Sequence, residues 1–142
     1  MNIPEQYHDI IVSELKSVKG LCESTETLED KMYYFSASYG IINRIMNLYS
    51  DPTLIFIQQI LQIMHKSITE RLAAVRNPNV VSASVPDEMI DALFNYYDQL
   101  IKEIENNDNN KIREVLEKIS ILSYATTGNG FYMYLKGKID LK

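Results

Sequence analysis

The sequence predicts an all-α protein, a single-domain antiparallel bundle of five long helices that spans residues 1–142. Apolar residues recur at intervals of three and four in five separate segments, which is the spacing of one face of a helix. Pro, Gly and Asn clusters separate these segments and supply turns and helix ends. A length of 142 residues with 46% hydrophobic and 23% charged residues is typical of one globular domain.

A charge-poor stretch in the first half of the chain indicates where the core lies. Between Met32 and Met64 the only charged side chains are Arg44 and Asp51. Large exposed apolar surfaces are uncommon on soluble monomers, so most of this stretch must be buried. The remaining segments are therefore expected to pack around it.

The third predicted helix, Pro52–Arg76, is the expected centre of the bundle. Asp51 is a preferred N-cap, Pro is favoured at the first helical position, and Asn77-Pro78 ends the helix. One apolar row is expected to be buried along its length, with Leu61 among its most buried members. A second, shorter row in the first half predicts enclosure on a second side. The first row is Leu54, Ile57, Leu61, Met64, Ile68, Leu72 and Val75, and the second is Phe56, Ile60 and Ile63.

The first two helices are predicted from their caps and apolar rows. The first runs from Pro4 to about Lys19 and is expected to stop at Gly20. The second starts after the N-cap Thr27 and continues to about Tyr49. Their expected buried rows are Tyr7, Ile11, Leu15, Val18 and Cys22 in the first, and Leu28, Met32, Phe35, Tyr39, Ile42, Met46 and Tyr49 in the second.

Gly40 lies in the middle of the second helix, beside Ser36, Ala37 and Ser38. Glycine in a helix interior costs about 1 kcal/mol relative to alanine, so a packing reason is expected for it. The sequence therefore predicts that another helix approaches closely at Gly40.

The last two helices form a predicted antiparallel hairpin. A loop at 77–85 leads to a helix from about Pro86 to Asn106, and a short polar turn leads to a helix from about Asn109 to Tyr124. Their expected buried residues are Ile90, Leu93, Phe94, Tyr97, Leu100, Ile101 and Ile104, followed by Ile112, Val115, Leu116, Ile119 and Leu122.

The C-terminal segment, residues 126–142, does not follow one period. A turn at 126–130 precedes the aromatic run Phe131-Tyr132-Met133-Tyr134-Leu135. A short sixth helix is favoured here over an extended strand, because an isolated strand is not stable and no second strand is apparent.

Composition disfavours several classes of function. A net charge of −5 disfavours nucleic acid and anionic membrane surfaces as partners, since both attract Lys and Arg. The longest uncharged apolar run is too short to span a bilayer, and the first residues do not resemble a signal peptide. The single cysteine, Cys22, excludes an internal disulfide and suits the reducing cytoplasm, which is the expected location.

No catalytic, cofactor or metal site is predicted. Glu5 and His8 have the spacing of a di-iron bundle motif, but such sites need two of these motifs and further glutamates. The chain has only one other histidine, His65, and Gln62 rather than Glu precedes it by three positions. Glu5 and His8 are therefore interpreted as exposed polar residues.

Ten tyrosines are the most informative functional signal. Tyrosine is enriched at interfaces because it combines a large apolar body with a polar tip. Tyr33-Tyr34 and Tyr96-Tyr97 are neighbours on helices, so each pair is expected to place one ring in the core and one at its rim. The leading hypothesis is a non-enzymatic interaction module, a homodimer or a binder of another protein. Its expected interface residues are Tyr34, Tyr96, Phe131, Tyr132 and Tyr134.

The alternative hypothesis is a small-molecule-binding or catalytic bundle. Binding pockets are mostly apolar with a few converging polar groups. The expected lining is Arg44, His65, Tyr97 and Tyr39, with Arg44 as the isolated cation of the charge-poor stretch.

Overall fold

A computed structural model describes the backbone of residues 1–76 and 87–124, and the side chains of residues 1–69 and 88–123. Within these ranges the chain is helical, without a strand, which confirms the all-α prediction. The aromatic segment at 126–142 and the loop at 77–85 lie outside the described residues. The five helices are α1 (Glu5–Glu23), α2 (Leu28–Met46), α3 (Pro52–Arg76), α4 (Asp87–Glu105) and α5 (Asn109–Tyr124).

The five helices form a closed ring in the order α1, α2, α3, α5, α4. Short turns make α2 antiparallel to α1 and α3, and make α5 antiparallel to α4. The Lys19–Asp98 ion pair and the His8–Ile104 hydrogen bond lie at opposite ends of the α1–α4 contact, so these two helices are also antiparallel. It follows that α3 and α5, which are adjacent but not consecutive, run in the same direction.

The end of the ring where α1 begins also holds the α2–α3 and α4–α5 turns. The backbone N–H of Asn2 donates to Asp51 Oδ1 at 3.0 Å, and the Met1 nitrogen donates to the side-chain oxygens of Asn107 and Asn109. Asp51 Oδ2 also accepts from the N–H of Leu54 at 3.0 Å, which confirms the predicted N-cap of α3. These polar contacts connect three segments at one end of the molecule.

The predicted buried row of α3 is confirmed over its described part. Leu54, Ile57, Leu61, Met64 and Ile68 are fully buried. The expectation of enclosure on a second side is wrong, because Phe56 and Ile63 are 44% and 41% exposed. Phe56 lines the groove between α3 and α5, where the Arg113 guanidinium lies 5.3 Å from the centre of its ring.

The register of α2 differs from the predicted one. The helix ends at Met46 rather than Tyr49, and its buried residues are Phe35, Ser38, Ile42 and Ile45. Met32, Tyr39 and Met46, which were expected in the core, are only half-buried. The helix has few charged side chains to mark an outer face, so the apolar pattern alone leaves its rotation undetermined by about one position.

Two predictions about glycine are wrong. The helix α1 continues through Gly20 to Glu23. At Gly40, a Cβ atom added to the backbone would meet no heavy atom within 4 Å among the described residues, so none of the other four described helices approaches it closely. The same is true at Gly20.

The hairpin of α4 and α5 agrees with the prediction. The predicted apolar residues of both helices are buried, apart from Phe94, which is half-buried. Asn107 in the intervening turn has φ = 53°, a left-handed conformation that Asn tolerates better than most residues.

Candidate functional site

The side of α2 that faces away from the bundle core is the first candidate site. Positions spaced by three and four along it are exposed or half-exposed, and Tyr33 is 72% exposed. Arg44 is the only charged residue among them. We call this surface the outer face of α2, and it comprises Tyr33, Ser36, Ala37, Gly40, Asn43, Arg44 and Asn47.

Gly40 lies at the centre of the outer face of α2. The space above it is open within the described part of the structure, so packing among those residues does not require glycine there. Its neighbours Ser36 and Ala37 are also small. Glycine in a helix interior costs roughly 1 kcal/mol relative to alanine, and it permits another backbone to approach closely. None of the described residues makes such an approach at Gly40, so the space remains available to a second molecule.

A groove between α1 and α2 adjoins the C-terminal end of this face. It has a volume of about 310 Å³, and Ile10 and Leu48 on its walls are 47% and 64% exposed. Glu14 and Arg44 also line it. Arg44 forms no ion pair with any residue in the described ranges. An apolar strip with an unpaired charge of each sign at its borders is suited to contact with another protein surface.

Behind α2 lies an aromatic cluster centred on Phe35. The Tyr97 ring centroid is 5.1 Å from that of Phe35, and the His65 ring is stacked at 6.4 Å. Tyr39 contacts His65 edge-on at 5.6 Å. Burial lowers the pKa of His65 below its ordinary value of 6.5. A neutral imidazole between two aromatic rings fits a structural role.

The Tyr97 hydroxyl connects three helices. It donates a hydrogen bond to the carbonyl oxygen of Leu15 at 3.3 Å and lies 2.6 Å from Ser38 Oγ. Burial, the largest cause, raises the pKa of Tyr97 far above its ordinary value of 10.0. The hydroxyl is therefore protonated and engaged, and it is not placed to act as a base.

The four residues of the predicted ligand pocket do not line one pocket. Tyr39 and His65 are in contact, and Tyr97 reaches the same cluster only through Phe35. Arg44 lies in the α1–α2 groove, whereas the groove that includes His65 is lined by residues from the first half of α2. Sequence spacing did not reveal that α2 turns Arg44 outward.

The predicted interface tyrosines are in different environments. Tyr34 is half-buried and packs edge-on against the exposed Tyr33 at 5.5 Å. Tyr96 is only 5% exposed, so the expectation that the Tyr96-Tyr97 pair is split between core and rim is wrong. A side chain this buried offers little surface to a partner. Phe131, Tyr132 and Tyr134 lie outside the described residues.

His8 is not the exposed polar residue that was expected. Its side chain is 16% exposed, and Nε2 donates to the carbonyl oxygen of Ile104 at 2.6 Å, since a carbonyl can only accept. The Ile104 carbonyl, near the C-terminal end of α4, thus accepts from both the imidazole and the backbone N–H of Asn107, which lies 3.0 Å away. No group of three metal-ligating side chains occurs in the part of the chain that the structure describes.

Comparison of the chain with protein-family models, curated proteins and solved structures found no match. Within the described ranges, none of the helices is long and apolar enough to cross a lipid bilayer.

Proposed function

We propose that the chain is a non-enzymatic helical interaction module that forms a two-fold symmetric homodimer through the outer face of α2. The observation that carries this proposal is the open space above Gly40, in the middle of an exposed helix face without a charge from Tyr33 to Asn43. Small residues on a helix let a second helix approach closely, and nothing within the described part of the chain uses that opportunity.

An antiparallel crossing of two α2 helices at Gly40 matches the arrangement of the larger exposed side chains. Tyr33 lies seven residues before Gly40, about 10 Å along the axis from the crossing point, and Leu48 lies in the turn just after the C-terminal end of α2. A two-fold axis makes every contact reciprocal. Tyr33 of one protomer would therefore pack near the partner subunit's Leu48, and the reverse contact would form at the other end.

The charges near α2 support the antiparallel orientation. The first turn of α2 is acidic, with Glu29 and Asp30, and the last turn contains Arg44. Antiparallel pairing keeps the two acidic first turns at opposite ends of the interface and aligns the two helix dipoles favourably. A parallel pairing would bring like charges together.

The C-terminal aromatic segment is proposed as a second contact of the same dimer. It follows Tyr124 at the end of α5, close to Ile121, which is 45% exposed on the α3–α5 groove. This groove has a volume of about 280 Å³, and Phe56 and Ile60 form its apolar wall. The aromatic side chains at 131–135 match this surface, and we propose that the partner's segment fills it. Removal of residues 126–142 is expected to weaken the dimer.

The alternative of a ligand pocket near Arg44 and His65 is not favoured, because these residues line different grooves. Nucleic acid is not proposed as a partner, since the net charge is −5. A cytoplasmic location is proposed because the single cysteine fits a reducing compartment.

Sedimentation equilibrium at micromolar concentration tests the proposal with three proteins: the natural chain, Gly40→Gln and Gly20→Gln. Both glycines lie inside helices, and a Cβ atom at either position would meet no heavy atom of the described residues within 4 Å. Both are expected to raise the stability of the isolated helix, since Gln has the higher helix propensity.

Gly40→Gln is expected to convert a dimer to a monomer, because its side chain occupies the space needed by the second helix. Gly20→Gln is the matched control and should remain dimeric. A natural chain that sediments as a monomer would refute the homodimer. A dimer that Gly40→Gln leaves intact would refute the role of α2.

A further inference from the structure

A cavity of about 420 Å³ lies where the C-terminal end of α1, the start of α2 and the first half of α4 meet. It is separate from the outer face of α2, and its volume is in the range of small-molecule sites. Its apolar floor includes the half-buried Leu28 and Phe94 and the buried Ile90. Tyr97 and Cys22 complete the floor from deeper in the core.

Both cations of this cavity already have partners. Lys19 Nζ lies 3.6 Å from Asp98 and 3.7 Å from Glu23. Lys31 Nζ donates to the carbonyl oxygen of Cys22 at 2.7 Å and lies 5.9 Å from the centre of the Phe94 ring. The Cys22 carbonyl is at the negative end of the α1 dipole, which favours an ammonium group there.

Two carboxylates of the cavity lack such a partner. Glu26 and Asp91 line it and are exposed at its mouth, and neither forms an ion pair with a residue in the described ranges. Four carboxylates and two ammonium groups give the cavity a formal charge of −2. The unmatched charge is therefore negative and lies beside an apolar floor.

From this arrangement we propose that the cavity binds organic ammonium compounds with a hydrophobic body. The ammonium group pairs with Asp91 and Glu26 at the mouth, and the body packs on Ile90, Leu28 and the Phe94 ring. An anionic ligand would meet the net negative charge. A strongly hydrated inorganic cation would gain nothing from the apolar floor.

The test uses amide chemical shifts in ¹H–¹⁵N spectra of the full chain during titration with three probes. Protonated 2-phenylethylamine has both the charge and the hydrophobic body, 2-phenylethanol has only the body, and ethylammonium has only the charge. The first is expected to saturate with a dissociation constant on the order of 1 mM, as suits a ligand of this size. Its shifts should be confined to the amides of residues 22–31 and 90–98. The other two probes should bind several-fold more weakly.

The double variant Glu26→Gln/Asp91→Asn is expected to weaken binding of 2-phenylethylammonium by about three- to tenfold, the usual range for two solvent-exposed ion pairs. The control is Glu5→Gln/Glu114→Gln, which removes two exposed carboxylates outside the cavity and should leave the affinity unchanged. Equal binding of 2-phenylethanol, shifts spread over the whole surface, or an unaffected double variant would each overturn the proposal. The spectra also show whether each variant is folded.

Discussion

The hydroxyl of Tyr97 lies 2.6 Å from Ser38 Oγ, and this contact connects α4 to α2 across the interior of the ring. Tyr97 is 1% exposed and Ser38 is fully buried. Because Tyr97 gives its own proton to the Leu15 carbonyl, Ser38 acts as the donor in this pair. The presence of a small polar residue, Ser38, on the buried side of α2 is thus explained by a partner 59 positions away in the sequence.

Tyr97→Phe is expected to lower the free energy of unfolding by about 1–3 kcal/mol, because it leaves the buried Ser38 hydroxyl without its partner and removes the hydrogen bond to the Leu15 carbonyl. Ser38→Ala should cost less, about 1 kcal/mol, since Tyr97 keeps its bond to Leu15. Chemical denaturation of both single variants and the double variant measures the coupling. The double variant should lose less stability than the sum of the losses in the two single variants. Additive losses would show that the contact between Tyr97 and Ser38 contributes nothing to stability.

Leu61→Ala is expected to cost about 2–5 kcal/mol through lost burial and a residual cavity. Leu61 is fully buried in the row of α3 that faces the core, as the sequence predicted. Ile63→Ala on the same helix is the control: Ile63 is 41% exposed, so its truncation should cost less than about 1 kcal/mol. Denaturant titration compares them. Similar losses at the two positions would contradict the assigned orientation of α3.

Cys22 is expected to react slowly with thiol reagents in the folded protein. Burial, partly offset by the charge of Lys31, raises the pKa of its thiol to about 11 from an ordinary 9.0. The thiolate fraction at neutral pH is then about 100-fold lower than in the unfolded chain, and the 3% exposure limits access further. The rate of reaction with a disulfide reagent, measured with and without denaturant, checks this. Equal rates would contradict the placement of Cys22.

Acidification is expected to destabilise the fold through His65. Burial lowers the pKa of its imidazole in the folded state below the 6.5 of the unfolded state. As pH falls through 6.5, the unfolded chain therefore binds a proton that the folded chain does not, and the free energy of unfolding decreases until the folded pKa is reached. The free energy of unfolding, measured from about pH 7.5 to pH 5.5, should decrease in this way for the natural chain and should decrease less for His65→Gln. The same pH dependence in His65→Gln as in the natural chain would contradict this role of His65.

The hairpin of α4 and α5 was predictable because each helix has one apolar and one charged side. Ile112, Ile119 and Leu122 are buried as expected, and their helix has Lys, Arg and Glu on its other side. The rotation of α2 was not predictable in the same way. Tyr, Ser, Ala and Gly occupy most positions in the middle of that helix on every side, so its apolar pattern fits more than one register. Ser38 on the buried side of α2 contacts Tyr97, which belongs to a helix distant in the sequence.

The candidate sites depend on which helices become neighbours in the bundle. The apolar spacing within each helix does not specify these neighbours. The cavity beside Lys31 exists because α4 returns next to α1, and the same adjacency lets His8 cap the Ile104 carbonyl. Arg44 stood out in the sequence as an isolated cation, but its outward position follows from the rotation of α2. Unusual residues such as Arg44 are therefore recognisable in the sequence, whereas their neighbours in space are not.

Disulfide cross-linking of a cysteine at position 40 tests the proposed homodimer most directly. A residue at a two-fold axis lies beside its own copy, and a disulfide requires Cα atoms within about 7 Å of each other. In a Cys22→Ala background, Gly40→Cys is expected to form a covalent dimer rapidly under mild oxidation at micromolar concentration. Gly20→Cys, in an equally open helix position, should remain uncross-linked. A covalent dimer from Gly40→Cys alone would support the α2 interface, whereas monomers, or equal cross-linking at both positions, would contradict it.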